Sequence, residues 1–143
     1  MYFSGEYQHG MDEKSRLILP ADYRESLGNK CKISKGHEAC LQVYPLEAWE
    51  KQAEKLVALD DFSRANRDLK RRFFANSRSC EIDKQGRTLI NQVFRSHAHI
   101  AKEVYIIGSG DHLQIWDRDR WEEYRVRLEG DDGDDDPGEG ALR

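Results

Sequence analysis

The segment Asp12-Glu13-Lys14-Ser15-Arg16-Leu17-Ile18-Leu19-Pro20-Ala21-Asp22-Tyr23-Arg24 returns 71 positions later as Asp83-Lys84-Gln85-Gly86-Arg87-Thr88-Leu89-Ile90-Asn91-Gln92-Val93-Phe94-Arg95. Each copy reads Asp, three turn-type or charged residues, Arg, three residues with an aliphatic pair, a helix-start signal, an aromatic and Arg. Matches continue on both sides. Tyr2-Phe3 answers Phe73-Phe74, and Met11 answers Ile82. Downstream the offset grows by one, so that Gly36 aligns with Gly108, Leu41-Gln42-Val43-Tyr44 with Leu113-Gln114-Ile115-Trp116, and Trp49 with Trp121. The chain is a tandem duplication, which limits its architecture before any single element is considered.

Two short halves share 143 residues. Neither half is long enough to bury a core comfortably by itself, so the halves are expected to pack on each other about a pseudo-two-fold axis. Phe3, Gly5, Tyr7, His9 and Met11 alternate with Ser4, Glu6, Gln8 and Gly10, a strand pattern. Charge at 12–16 interrupts it, and Leu17-Ile18-Leu19 resumes, which predicts a hairpin with its tip at 12–15. Pro20 to Leu27 reads as a short helix closed by Gly28. Strands are expected at 31–34 and 40–44, then a helix opened by Pro45 with Leu46, Trp49, Ala53, Leu56 and Val57 turned to the sheet. A second helix at 62–74 carries Arg64, Arg67, Lys70, Arg71 and Arg72, which either solvate a linker helix or attract phosphates. The plan then repeats, ending in a helix capped by Asp117 with Trp121, Tyr124, Arg125 and Leu128 on one face.

Charge must be divided to be informative. Six of the 27 acids and one of the 23 Lys and Arg residues fall at or beyond Gly130, which leaves 21 acids and 22 bases before it. The body is near neutral, and the Gly/Asp tail cannot bury apolar surface, so it is expected to be disordered. The longest apolar run, Val104-Tyr105-Ile106-Ile107, is far short of a membrane span, and the first ten residues lack the pattern of a signal peptide. A cytoplasmic protein without membrane partners is expected. Cys31, Cys40 and Cys80 are odd in number and lack C-x-x-C spacing, so no disulfide framework is expected. Cys31, His37 and Cys40 suggest a metal site only weakly, because the second half offers Glu103 and His112 at the aligned positions and no matching ligand set; no metal and no cofactor are expected.

The repeated Asp-x-x-x-Arg turn is the chemical signal. A carboxylate there accepts turn amides or pairs with the guanidinium and holds the tip rigid. Stabilisation of each half is one sufficient reading. Arginine offers more, since its planar fork meets two acceptors at once, such as O6 and N7 of guanine. Lys14 and Lys84, at the same tips, supply point charges suited to phosphates. A narrow β-element carrying such groups fits a major groove.

With Asp12/Arg16 and Asp83/Arg87 doubled, the opening Met1-Tyr2-Phe3-Ser4-Gly5-Glu6-Tyr7 and the two Leu-Gln-[Val/Ile]-[Tyr/Trp] segments, residues 1 to about 128 resemble the bacterial MraZ family, which is similar to the AbrB/SpoVT group of β-rich DNA-binding folds. The resemblance implies an α+β fold class: two tandem β-rich AbrB/SpoVT-like modules with short helices, related by pseudo-two-fold symmetry. On this basis residues 1–60 and 73–129 are the two modules, 61–72 a connecting helix and 130–143 the acidic tail. It implies a nucleoid-associated transcriptional regulator, a repressor of the division and cell-wall gene cluster containing its own gene. Ring-shaped homo-oligomers would bind tandem G-rich repeats in double-stranded DNA. Arg16 and Arg87 are assigned to DNA contact, Lys14 and Lys84 to phosphate or nearby base contact, and Asp12 and Asp83 to orienting the turns. Arg24 and Arg95 also recur, with structural pairing at least as good a reading. Catalysis is not expected: Glu6, His9, Asp12, His97 and His99 accompany no activated nucleophile. An oligomeric protein-interaction scaffold without sequence-specific DNA binding is the competing reading.

Overall fold

Alternation and turn chemistry carry through to the elements. The computed structural model describes residues 2–130. Among these, the chain runs β1 (Glu6–Gly10), β2 (Arg16–Ile18), α1 (Ala21–Leu27), β3 (Lys30–Lys35), β4 (Leu41–Pro45), α2 (Leu46–Val57), α3 (Arg64–Ala75), β5 (Ser77–Glu81), β6 (Arg87–Leu89), α4 (Gln92–Ala98), β7 (Glu103–Gly108), β8 (Leu113–Asp117) and α5 (Arg118–Gly130). The fold class is α+β, with the sequence plan written twice. The acidic segment 131–143 lies outside the described residues.

Local signals end the helices where expected. Pro20 leads into α1, and Gly28 at φ +73° takes the left-handed conformation that closes it. The Ser63 hydroxyl accepts from the Asn66 amide at 3.0 Å to start α3, and Asn91 accepts from the Phe94 amide at 3.1 Å to start α4.

Strand pairing departs from the local expectation. Six strands form an antiparallel sheet in the order β1-β7-β8-β4-β3-β5, and β2 and β6 form a separate two-stranded ribbon. The order is the same from either end once the halves are interchanged, with the pseudo-dyad between β8 and β4. β1 does not ladder with β2; Met11 and Leu17 make only an isolated bridge. Each half instead gives its first strand to the other half, β1 to β7 and β5 to β3. Closed local hairpins would leave β7 and β3 as open sheet edges, with unpaired amides and carbonyls. Exchange pairs β7 and β3, leaves β1 and β5 as the outer strands, and draws β2 and β6 together over one core.

That core lies between ribbon, sheet, α1 and α4. Leu17, Leu19, Leu41, Ile90, Ile106 and Ile115 have no exposed surface. Two equivalent bolts fasten the exchange. Trp49 of α2 donates its indole N–H to the Ser77 hydroxyl at the start of β5, at 3.1 Å. Trp121 of α5 donates to Glu6 at the start of β1, at 3.2 Å.

Two finer expectations are corrected. Cys31 pairs with Pro45 where Val104 pairs with Asp117, so Cys31 is the counterpart of Val104 and not of Glu103, and Gly108 is the counterpart of Lys35. The loop before β7 is two residues longer than its partner, and the β7–β8 turn is one shorter. Similarly, α2 does not bury its apolar face: none of its residues is fully buried, and Val57 is 65% exposed. The helix leans on α3, where Trp49 stacks on Phe73 at 5.4 Å between ring centroids.

Candidate nucleic-acid interface

Each repeated turn is built by its aspartate. Asp12 Oδ1 accepts the Lys14 and Arg16 backbone N–H groups, both at 2.9 Å, and its Oδ2 accepts Arg16 Nε at 2.8 Å. Asp83 does the same with the Gln85 amide at 3.0 Å, the Arg87 amide at 2.8 Å and Arg87 Nε at 2.8 Å. The backbone closes each loop, with Asp12 N–H donating to Arg16 O at 2.9 Å and Asp83 N–H to Arg87 O at 3.0 Å. Backbone N–H donation from Arg16 and Arg87, followed by their side chains, holds both carboxyls below the usual aspartate range.

A left-handed residue is needed just before each arginine. Gly86 takes φ +81° without cost, whereas Ser15 takes φ +61° as a non-glycine residue. The two turns are then tied to each other. Leu19 N–H donates to Gly86 O and Ile90 N–H to Ser15 O, both at 2.9 Å. Arg24 lies so close over Gly86 that a Cβ there would come within 2.2 Å of its guanidinium, while Arg24 Nε donates to Leu19 O at 2.8 Å. Arg95 donates to Ile90 O and, at 2.7 Å, to Gln92 Oε1. Arg24 and Arg95 are therefore braces of the turns.

The ribbon brings the expected residues to one surface. Arg16 and Arg87 side chains are each 30% exposed, and among the described residues Arg16 spends only Nε on a protein acceptor. Its two terminal amino groups have no protein acceptor among the described residues. Arg87 Nη2 makes one long contact, 3.4 Å, to Gln85 Oε1. Lys14 and Lys84 are both exposed at the tips but are not equivalent. Lys14 corresponds to Gln85, and Lys84 to Glu13, so the two tips differ in where their lysine charge sits.

Other candidate groups are dispersed or engaged. In α3, Asp68 pairs with Arg71 at 3.1 Å and Arg64 at 3.8 Å, Lys70 meets Asp61 at 2.8 Å, and Arg67 donates to the Asp61 carbonyl at 2.8 Å. These bases solvate and lock the connecting helix. Cys31 faces Cys80 across β3 and β5, with its hydrogen bond to that neighbour, then burial, raising its thiol pKa, while Cys40 sits beside Gly36. The Cys31, His37 and Cys40 set does not converge, and among the described residues no group of three or more Cys, His, Asp or Glu could hold a metal ion. His97 Nε2 lies 3.2 Å from the Glu38 carbonyl. A cleft of about 760 Å³ beneath α2 and α3 collects Lys35, Lys55 and Arg72 against apolar walls, without an acidic residue. No helix among the described residues is long and apolar enough to cross a membrane.

Ribbon pairing and cross-half bracing were not visible to sequence reasoning. The one available signal was the matching triplets Arg16-Leu17-Ile18 and Arg87-Thr88-Leu89, in which each middle residue turns inward and its neighbours outward.

Fold and site define a class: a duplicated, strand-exchanged α+β protein whose paired Asp–Arg turns stand on one ribbon. Comparison with known proteins narrows it. A family model described as "MraZ protein, putative antitoxin-like" matches residues 2–72 and again 73–136. A protein of Heliobacterium modesticaldum named Transcriptional regulator MraZ is 50% identical over 126 residues, covering 87% of each chain. Those of the same name from Moorella thermoacetica and Acetivibrio thermocellus are 46% and 44% identical, each covering 85% of both chains. This chain belongs to the MraZ family of transcriptional regulators.

Proposed function

We propose that the chain is a sequence-specific DNA-binding repressor that reads tandem G-rich repeats upstream of the division and cell-wall gene cluster containing its own gene. It acts as a ring-shaped homo-oligomer in the cytoplasm, associated with the nucleoid. The observation that carries this reading is the pair of half-buried arginines on one ribbon, each held by Nε, with the terminal amino groups of Arg16 left without a protein acceptor and those of Arg87 making one long contact. A pre-oriented guanidinium loses little freedom on meeting guanine O6 and N7. Lys14 and Lys84 take phosphates, and Asp12 and Asp83 orient the forks. We take residues 1–60 and 73–129 as the repeated modules, 61–72 as their connection and 130–143 as an appended acidic tail. A near-neutral body makes a single subunit a weak electrostatic binder, and a ring engaging repeated sites raises effective concentration without new contacts.

Fluorescence anisotropy on a duplex of tandem G-rich repeats, against a scrambled duplex, tests the reading. Preference for the repeats is expected, with affinity falling steeply as salt rises. Arg16→Ala and Arg87→Ala should each weaken specific binding by about ten- to a hundredfold while the protein stays folded and oligomeric. Equal, weak binding to both duplexes would overturn the proposal in favour of a protein-interaction scaffold.

A further inference from the structure

The ribbon exposes more than charge. Its inner face is Leu17 and Thr88, 0% and 2% exposed, paired directly across the two strands. Its outer face is Arg16 and Ile18 on β2, Arg87 and Leu89 on β6. The register sets Arg16 opposite Leu89 and Ile18 opposite Arg87. Cations therefore occupy one diagonal of a two-by-two face, and aliphatic side chains the other. Ile18 is 43% exposed and Leu89 61% exposed, although the core they could have joined lies directly beneath.

We propose that Ile18 and Leu89 are specificity-determining residues that contact thymine C5-methyl groups beside the guanines read by Arg16 and Arg87. This rests on the DNA-binding reading above. Opposed residues of a ribbon lie about 4.5–5.5 Å apart, and stacked bases about 3.4 Å apart along a strand. With an arginine fork on guanine, the aliphatic neighbour falls one or two base steps away. In the major groove the feature that distinguishes thymine and suits an aliphatic side chain is its methyl group. An apolar protein partner fits this face less well, because covering it would also bury two guanidinium groups whose terminal amino groups are largely without protein acceptors. Guanine and thymine edges supply acceptors and methyls in the same groove.

Replacing thymine by deoxyuridine removes the methyl and nothing else. A G-rich duplex enriched by the unmutated protein from a random pool would be resynthesised with deoxyuridine at each thymine in turn. The unmutated protein should lose about fourfold in affinity at thymines one or two steps from a read guanine, and nothing elsewhere. Ile18→Ala and Leu89→Ala should each lose this sensitivity at their own positions while still preferring the G-rich duplex to a scrambled one. Uniform indifference to deoxyuridine, with G-rich preference intact, overturns this inference and leaves the DNA reading standing. Sensitivity retained in both variants overturns it as well, as does a change of oligomeric state on Ile18→Ala or Leu89→Ala without a change in thymine preference. Absence of any preference for the G-rich duplex overturns the DNA reading itself.

Discussion

Thr88 sits at the centre of the ribbon's inner face, and its buried side-chain oxygen has no nitrogen or oxygen partner among the described residues; it faces the Cys80 thiol, a weak acceptor. Its counterpart in the first half is Leu17, so an apolar side chain already serves the equivalent position. A buried hydroxyl without a partner costs roughly 1–3 kcal/mol. Thr88→Val keeps the β-branch and nearly the same volume while removing that cost. We expect a gain of about 1 kcal/mol, which for a chain of this size raises Tm by about 3–5 °C. Urea denaturation and calorimetry would measure it, with Thr88→Ser as the control that keeps the hydroxyl and loses the methyl, and that should destabilise. DNA affinity should not change, because the side chain points away from Arg16 and Arg87. A Thr88→Val protein less stable than the parent by 1 kcal/mol or more would refute the reasoning, and would mean that the contact with the Cys80 thiol satisfies the hydroxyl.

Two further perturbations address the turns and the exchange. The Asp12 and Asp83 carboxyls are held below their ordinary values, so their contribution is fully present above the unfolded pKa of about 3.9 and is lost as pH falls through the lower folded value. The urea midpoint advantage of the parent over Asp83→Asn should therefore be constant above pH 5 and shrink below about pH 4; an advantage independent of pH down to 2 would contradict the assignment. At Gly108, a Cβ would lie 2.2 Å from the Ser4 backbone nitrogen. Gly108→Ala should destabilise by about 1–3 kcal/mol or more and release hydrogen-exchange protection at Phe3 and Gly110, which bond each other through the backbone. Parental stability and protection would rule out that close approach.

Much of the fold was legible because short-range chemistry writes it. Pro20, Gly28, Pro45 and Asp117 bound their helices as placed, and alternation, short aliphatic runs and the repeat located every strand to within a few residues. Asp12 and Asp83 organise their turns by the side-chain-to-amide bonding that Asx residues favour. Pairing partners were a different matter. A period of two says which face of β1 is buried but not which strand lies beside it, and β7 is nearly a hundred residues away. The same limit hid the placing of Arg24 over Gly86, since no local rule links a helix in one half to a turn in the other. Lys14 and Lys84 both belong to their tips, but they stand one position out of register with each other.

The exchange of first strands gives this chain the topology of an intertwined dimer whose two copies have been joined end to end. Two separate identical chains would have to present identical tips, and their ribbon would be bound to a palindrome. Joining removes that obligation. Ser15 corresponds to Gly86, Lys14 to Gln85, Glu13 to Lys84 and Leu17 to Thr88, so the two tips differ in sequence while the shared ribbon holds the two arginines in fixed relation. A reading surface that has lost its internal dyad has a head and a tail. On the DNA-binding reading proposed above, it can be laid down repeatedly in one direction along a helix, which matches the polarity of a row of direct repeats.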